Sequence, residues 1–236
     1  MKNKLFTMKN SILKFLTHLL IVVLGVLISF SIEKERALSY KEDLKNNSLR
    51  KMISNISHDI NDQKINYEIH NYTKKCTKHL LNNSKELFHA YKDSLGYYIK
   101  IVSSANSIFI DNKEEYLTLR NSGLLELIEN DSLVYLLHHK YSYHQFYKKL
   151  EDHISEINHK IQDNILIKTS YVGEGMTKYW GQYGLYIDSE PLTNTDLLLV
   201  KEKFGMSDFY CLQIKNSMKR DSVLIDIIKQ ELSDKK

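Results

Sequence analysis

An uncharged apolar run near the N-terminus, from Phe15 to Ile32, places the strongest constraint on what this chain can fold into. Its eighteen residues include no Asp, Glu, Lys or Arg. A helix needs about 20 predominantly apolar residues to cross a hydrocarbon core roughly 30 Å thick. We therefore predict a single-pass membrane protein with a cytoplasmic tail at residues 1–14, a transmembrane helix at 15–32 and an extracytoplasmic domain at 33–236.

A basic start before an apolar stretch is also typical of a cleaved signal peptide. The residues Ser29, Phe30 and Ser31 resemble a small-x-small cleavage site. Eighteen apolar residues, however, exceed the 7–15 residues usual for the apolar region of a signal peptide. We therefore expect the segment to be retained as an anchor in a bacterial inner membrane.

The charges that flank the apolar run do not decide its orientation. Four lysines precede it, and the fifteen residues after Ile32 also carry four Lys or Arg. The positive-inside rule therefore gives a tie. A short tail before the first apolar segment is the usual form of a signal anchor, so we predict a cytoplasmic N-terminus and a periplasmic C-terminal domain.

The composition of the chain favours helices and argues against nucleic-acid binding. Of the 33 Lys and Arg, four precede the apolar run, and the 29 that remain equal the 29 Asp and Glu of the domain. A nucleic-acid-binding domain usually carries a basic face. With one Pro and eight Gly, the chain has too few turn residues for a sandwich or barrel. We predict an all-α fold, an elongated bundle that follows the membrane helix.

Apolar spacing predicts the helices of the bundle. From Glu33 to about Tyr91 there is no Gly or Pro. The apolar stripe shifts along this segment, which indicates a curved or interrupted helix rather than a strict coiled coil. A second helix, from Lys113 to Glu129, is interrupted at Asn121–Gly123, and Asn130 begins a turn and N-cap signal.

The most regular pattern predicts one long helix from about Ser132 to Lys168. Its apolar residues recur at intervals of three or four: Tyr143, Tyr147, Leu150, Ile154, Ile157, Ile161 and Ile165. From Asp196 a further helical pattern begins, and it is expected to break near Gly205 and to continue from Ser207 to Leu232. The pattern at Ile99–Ile110 is short and ambiguous.

The segment from Thr169 to Thr195 differs from the rest and is predicted to be a loop. It contains four of the eight Gly, the only Pro and the only Trp. Because aromatic side chains offer large contact areas with a polar tip, we take this loop as the candidate partner-contact surface, formed by Tyr179, Trp180, Tyr183 and Tyr186. The alternative is that these rings form a small satellite core at one end of the bundle.

No motif of known chemistry stands out. No two of the ten His residues are three or four positions apart, the spacing that two ligands on one helix face require. Cys76 and Cys211 can form a disulfide outside the cytoplasm or remain buried thiols, and the sequence leaves both alternatives open. The chain lacks the Gly-rich phosphate loops and the nucleophile elbow of known enzyme families. We expect no catalytic activity, no cofactor and no metal site.

Two stretches resemble a known family. They are LLIVVLGVLISFSIEKE at Leu19–Glu35 and EEYLTLRNSGLLELIENDSLVYLLHHKY at Glu114–Tyr141. They are similar to a family of uncharacterised bacterial membrane proteins, common in the Bacteroidetes, that is catalogued as domain of unknown function 6090. The second stretch matches the family pattern at Tyr116, Leu119, Ser122, Gly123, Leu125, Ile128, Asn130 and Leu133.

The resemblance covers about a quarter of the chain, and it implies the same architecture and a bacterial envelope location. It supplies no activity, because none is assigned to the family. The chain also departs from the family, since it lacks the acidic residue often found in the membrane run and the N-N-W motif that follows it.

Two functions are consistent with these features. The first is a membrane-anchored interaction or scaffold subunit that contacts the lipid bilayer and another envelope protein, or that self-associates. The second is a sensor-like domain that binds a small ligand between helices. A cytoplasmic tail of fourteen residues is too short to fold into an output domain, so a sensor would have to signal through a partner membrane protein. This constraint favours the first function.

Overall fold

The computed structural model describes residues 2–171 and 184–233. Its elements are α1 (Lys2–Ala90), α2 (Lys92–Ser104), α3 (Glu114–Asn121), α4 (Asp131–Ser142), α5 (His144–Asn164), β1 (Thr169–Tyr171), β2 (Gly184–Tyr186) and α6 (Asn194–Ser233). Short 3-10 turns lie at Leu124–Leu127 and Leu166–Lys168. The described part of the chain is almost entirely helical, which confirms the all-α prediction. The strands form a two-stranded antiparallel ribbon within the segment that was predicted to be a loop.

Helix α1 contains both the apolar run and one side of the bundle. Among the described residues it is the one helix long and apolar enough to cross a membrane. The side chains of residues 16–41 are exposed, and burial against other helices begins at Lys45. Residues 33–44 therefore form a helical stalk of roughly 18 Å, at 1.5 Å per residue, between the apolar run and the bundle.

Helices α1 and α6 pair along a heptad seam. They run antiparallel, because Lys45 near the start of the bundle bonds Glu231 near the chain end, at 3.7 Å between Nζ and Oε1. Buried residues of α1 alternate at spacings of four and three: Lys45, Leu49, Met52, Ile56, Asp59, Gln63, Asn66, His70, Thr73, Thr77 and Leu80. The same spacing on α6 buries Asp196, Val200, Lys203, Ser207, Tyr210, Ile214, Ser217, Asp221, Leu224, Ile228 and Glu231. This 4-3 repeat is typical of coiled-coil packing.

The seam corrects two sequence predictions. Of the predicted alternatives for α1, a curved or an interrupted helix, the interruption is wrong, because α1 is one helix from Lys2 to Ala90. Polar residues such as Asn66 and His70 continue the 4-3 spacing of its seam. Ile65, an apolar residue of the same part of α1, is 56% exposed. The expected break at Gly205 is also wrong, since α6 continues through it. A helical Gly costs about 1 kcal/mol relative to Ala, and burial of the seam on both sides of Gly205 outweighs that cost.

The long helix predicted from Ser132 to Lys168 is two helices. The chain turns at Tyr143, which ends α4 and caps α5, and α5 ends at Asn164. The turn lets Leu133 and Leu137 of α4 join the core next to the stalk, while α5 packs farther along α6. The predicted apolar face is confirmed, since Tyr147, Ile154, Ile157 and Ile161 of α5 and Ile165 directly after it are buried, while Tyr143 and Leu150 are half-buried.

The predicted interruption at Asn121–Gly123 and the predicted N-cap at Asn130 are confirmed. Helix α3 ends at Asn121, and Gly123 follows with φ of 72°, a left-handed conformation that Gly adopts without steric cost. Asn130 caps α4, where its Oδ1 accepts a hydrogen bond of 3.1 Å from the Leu133 N–H.

A second glycine has a packing role. The break between α1 and α2 lies at Tyr91, and Gly96 is inside α2. A Cβ atom on Gly96 would overlap the carbonyl group of Gly184 on β2. The absence of a side chain at Gly96 therefore lets the ribbon lie directly against α2.

A buried ionic cluster joins α1, α4 and α6. Lys140 Nζ lies 2.8 Å from Asp59 Oδ2 and 2.9 Å from Asp221 Oδ2. Gln63 Nε2 donates to the same Asp221 oxygen over 3.0 Å. Burial lowers the pKa of Lys140, but the two carboxylates outweigh it and hold that pKa above its ordinary value. The ammonium therefore remains charged at neutral pH.

A second polar group lies between α5, α6 and the segment after α2. Lys203 is fully buried, and its Nζ donates to the Ala105 carbonyl oxygen over 2.7 Å and to Asn158 Oδ1. Burial lowers the pKa of Lys203 to about 7. Nearby His70 bonds Ser107 Oγ over 2.9 Å, and burial lowers its pKa to about 3. His70 is therefore neutral at physiological pH.

We predict that Ile157→Ala destabilises the bundle by about 2–5 kcal/mol, because it leaves a cavity at a fully buried position. Denaturant unfolding of the full-length protein in detergent, followed by circular dichroism, measures the change. Ile65→Ala removes the same atoms from a half-exposed position and is the matched control. Equal losses for the two variants would contradict the packing.

Replacement of Lys140 by Met should lower the free energy of unfolding by about 3–5 kcal/mol, since two buried carboxylates would lose their partner. Lys51→Met is the control, because the bond between Lys51 and Glu115 is 3.2 Å long but the Lys51 side chain is 68% exposed. Exposed pairs contribute about 0–1 kcal/mol. Similar unfolding midpoints for the two variants would refute the importance of the cluster.

Lys203 should also make stability depend on pH. Below about pH 7 it is protonated in both states, and the cost of burying its charge is fully present. Between that pH and its ordinary pKa near 10.5 the unfolded chain binds the extra proton, so the stability contributed by this residue rises with pH. The free energy of unfolding should be measured for the wild type and Lys203→Met at pH 6.5 and pH 9. Relative to the variant, the wild type should be more stable at pH 9 than at pH 6.5. A constant difference would contradict this assignment.

Candidate functional site

The four aromatic residues predicted as partner contacts do not share one described environment. Tyr179, Trp180 and Tyr183 lie outside the described residues. Tyr186 lies on β2 and is fully buried. Its ring meets Phe88 edge-on at 5.9 Å between centroids, its hydroxyl donates to the Glu190 carbonyl oxygen over 2.7 Å, and burial raises its pKa to about 12. Tyr186 thus has the position of a core residue.

The base of the β1–β2 ribbon is held by contacts to the start of α6. The Ile187 N–H donates to the Lys168 carbonyl oxygen over 2.9 Å. Lys168 Nζ bonds Asp196 Oδ2 at 2.6 Å, and the same oxygen accepts from the Thr193 N–H over 2.9 Å. Burial raises the pKa of Asp196, but these donors outweigh it and hold that pKa below its ordinary value. The carboxylate therefore remains ionised and ties α6 to the ribbon.

Exposed apolar side chains surround this base at the end of the bundle farthest from the stalk. Tyr91, Ile167, Ile187 and Leu198 are each more than half exposed. Ile167 and Ile187 flank the two strands, Leu198 lies in the first turns of α6, and Tyr91 joins α1 to α2. We call these four residues the distal cap. Residues 172–183, which include Trp180, connect its two strands in the sequence.

A second surface feature lies between α3 and α4, an open depression of about 400 Å³ that we call the α3–α4 groove. Its lining residues are Tyr116, Arg120, Tyr135, His138, His139, Tyr141 and Ser142. The first two are one helical turn apart on α3. On α4 the lining residues Tyr135, His138, His139 and Ser142 are three or four positions apart. This spacing places them side by side on one face of the helix.

Aromatic contacts order the floor of the groove. Tyr116 stacks on Tyr141 with ring centroids 4.5 Å apart, and the Arg120 guanidinium lies 5.8 Å from the centre of the Tyr116 ring. The Tyr116 hydroxyl is 2.6 Å from His138 Nδ1. Burial raises the pKa of Tyr141, so its hydroxyl is a neutral donor, and it bonds the Asn112 carbonyl oxygen. The groove is therefore rich in flat rings and hydrogen-bond donors.

Sequence reasoning did not find the α3–α4 groove. In the structure His138 is exposed and His139 is half-buried. The tyrosine and arginine that complete the groove come from α3, eighteen or more positions earlier. Only the signal Tyr-x-x-x-Arg on α3 could have suggested a shared face, and such a pair is common on helices.

The two cysteines take structural positions, and the described residues contain no metal-binding cluster. Among the described residues no group of three or more His, Cys, Asp or Glu is arranged to hold a metal ion. Cys76 and Cys211 are buried free thiols. Burial raises the pKa of each to about 11, so both remain protonated at neutral pH. They therefore pack as small apolar side chains.

Comparison of the chain with models of protein families, with characterised proteins and with solved structures found no match. The resemblance to the Bacteroidetes membrane family stays a prediction. The features of this chain that bear on its function are the distal cap, the α3–α4 groove and the long helix α1 that carries the apolar run.

Proposed function

We propose that this protein is a membrane-anchored interaction or scaffold subunit of a bacterial envelope assembly, and that it holds its distal cap at a set distance from the inner membrane. In this proposal the N-terminus is cytoplasmic and the bundle lies in the periplasm. The partner is another envelope protein. No catalytic step, cofactor or nucleic acid is involved.

The observation that carries this proposal is the continuity of α1. One uninterrupted helix runs from the apolar run into the bundle and ends at Ala90, beside the distal cap. At 1.5 Å per residue, its axis covers roughly 87 Å between Ile32 and Ala90. Because α6 packs along the bundle part of this helix, the cap is held on a stiff support rather than on a flexible linker.

The chemistry of the distal cap supports a protein partner. Single exposed apolar residues are normal on a protein surface, whereas a contiguous apolar patch is typical of a contact surface. In this proposal the four cap residues form such a patch together. The polar groups beneath the cap are already bonded, as Lys168 and Asp196 show. A partner would therefore bind the distal cap through apolar contacts.

A sensor function remains the second candidate, and the same continuity of α1 favours it. A shift of the bundle along or around α1 would reach the membrane segment without an intervening hinge. Its output would require a partner membrane protein that contacts residues 15–32.

The test is partner capture by the full-length protein, cross-linked in cells and then purified in mild detergent. The double variant Ile167→Asp/Ile187→Asp should lose its cross-linked partner at least about 10-fold, because charges replace the apolar contact. Trp180→Ala should weaken the contact by about 2 kcal/mol if Trp180 is an anchor. The melting temperatures of both variants should stay close to that of the wild type.

The matched control is Ile65→Asp, which places the same charge at an exposed apolar position on the side of the bundle. It should leave partner capture unchanged. Loss of stability without loss of capture in Trp180→Ala would show that the aromatic loop is a satellite core. Equal capture by the cap variant and the wild type would refute the proposed surface.

A further inference from the structure

We propose that the α3–α4 groove binds a cyclic acid, a small molecule that combines a carboxylate group with one apolar ring face, either an aromatic face or the C–H face of a sugar. The inference does not depend on the proposed partner at the distal cap. The groove lies beside the end of the bundle that is next to the stalk, where Tyr116 packs with Met52 and Ile56 of α1.

The walls of the groove suit a flat ring. Tyr135 of α4 is 66% exposed, and its ring lies 6.0 Å from that of His139. Tyr116 and Tyr141 form the stacked floor. Aromatic faces bind other rings by offset stacking and bind the C–H face of a sugar by dispersion. A volume of about 400 Å³ lies in the range of small-molecule pockets.

The donors of the groove suit a carboxylate. Arg120 presents a guanidinium, which binds a carboxylate through two parallel hydrogen bonds. In the described part of the chain, no carboxylate lies within ion-pair distance of Arg120, and its guanidinium lies over the Tyr116 ring. When the Tyr116 hydroxyl donates to His138 Nδ1, the neutral imidazole carries its proton on Nε2 and is a further donor.

The acidic residues near the groove do not compete for this role. None of the seven lining residues is Asp or Glu. Glu115, the neighbour of Tyr116, bonds Lys51 of α1 at 3.2 Å. Asp59, whose charge helps to raise the pKa of Tyr141, bonds Lys140 within the buried ionic cluster. The lining therefore combines cationic and neutral donors with aromatic faces, and an anionic ring complements both.

The test measures binding of two acids and their neutral counterparts to the full-length protein in detergent, by saturation-transfer difference NMR with titration. The acids are benzoate and glucuronate, and the neutral probes are benzyl alcohol and glucose. At least one acid should bind with a dissociation constant of about 1 mM or lower, and at least 10-fold more tightly than its neutral counterpart. Preference for benzoate indicates an aromatic acid, and preference for glucuronate a sugar acid.

Variants assign the binding to the groove. Arg120→Gln should weaken binding of the preferred acid at least 10-fold and should hardly change the affinity for its neutral counterpart. Tyr135→Ala should weaken both. Arg50→Gln, which changes an exposed arginine whose recorded bond is to Asn47, is the matched control and should bind like the wild type. Melting temperatures establish that each variant is folded.

Two results would overturn the inference. One is that neither benzoate nor glucuronate binds at a ligand concentration of about 10 mM, ten-fold above the expected dissociation constant. The other is binding of an acid that Arg120→Gln and Tyr135→Ala leave unchanged in folded protein. Neither result bears on the distal cap, whose variants are tested by partner capture.

Discussion

The pairing of α1 with α6 is the interaction on which the rest of this structure depends. The two helices meet along a heptad seam from Lys45 to Leu80 on one side and from Asp196 to Glu231 on the other. An isolated long helix is marginal in water, and tertiary packing supplies most of its stability. The shorter helices pack on this pair, and the ribbon packs on α2. The positions of the distal cap and the α3–α4 groove therefore depend on the seam.

The middle of the seam is polar, and this polarity has a physical consequence. A buried ion pair contributes little net stability compared with apolar packing, but breaking one is costly. A wrong alignment of α1 and α6 would leave Lys140, Asp59 and Asp221 buried without partners. In the observed register Gln63 of α1 and Lys140 of α4 both bond Asp221 of α6, so the ionic cluster is complete. The apolar layers around Leu49 and Leu80 then supply the stability.

The same packing brings together residues that are distant in sequence and separates the two proposed functional surfaces. The distal cap lies where α1 ends and α6 begins, beyond the full length of the seam. The α3–α4 groove lies nearer to the stalk, where the two short helices face each other. A ligand in the groove and a partner at the cap would therefore act at opposite ends of one stiff helix pair, a layout that suits both the scaffold and the sensor proposals.

Sequence by itself determined the apolar run, the helical class, the interruption at Gly123, the Asn130 cap and the apolar face of α5, because each depends on neighbours within a few turns. It failed where tertiary contacts outweighed local pattern: α6 passes through Gly205 because the seam stabilises both sides, and the predicted long helix turns at Tyr143 to follow α6. Only the tertiary structure decided that His70 and Asn66 belong to the seam and that Tyr186 is core. It also decided that Arg120 of α3 shares a groove with the histidines of α4. The physical reason is that burial of a polar residue depends on partners from other helices, and a pattern within one segment carries no information about them.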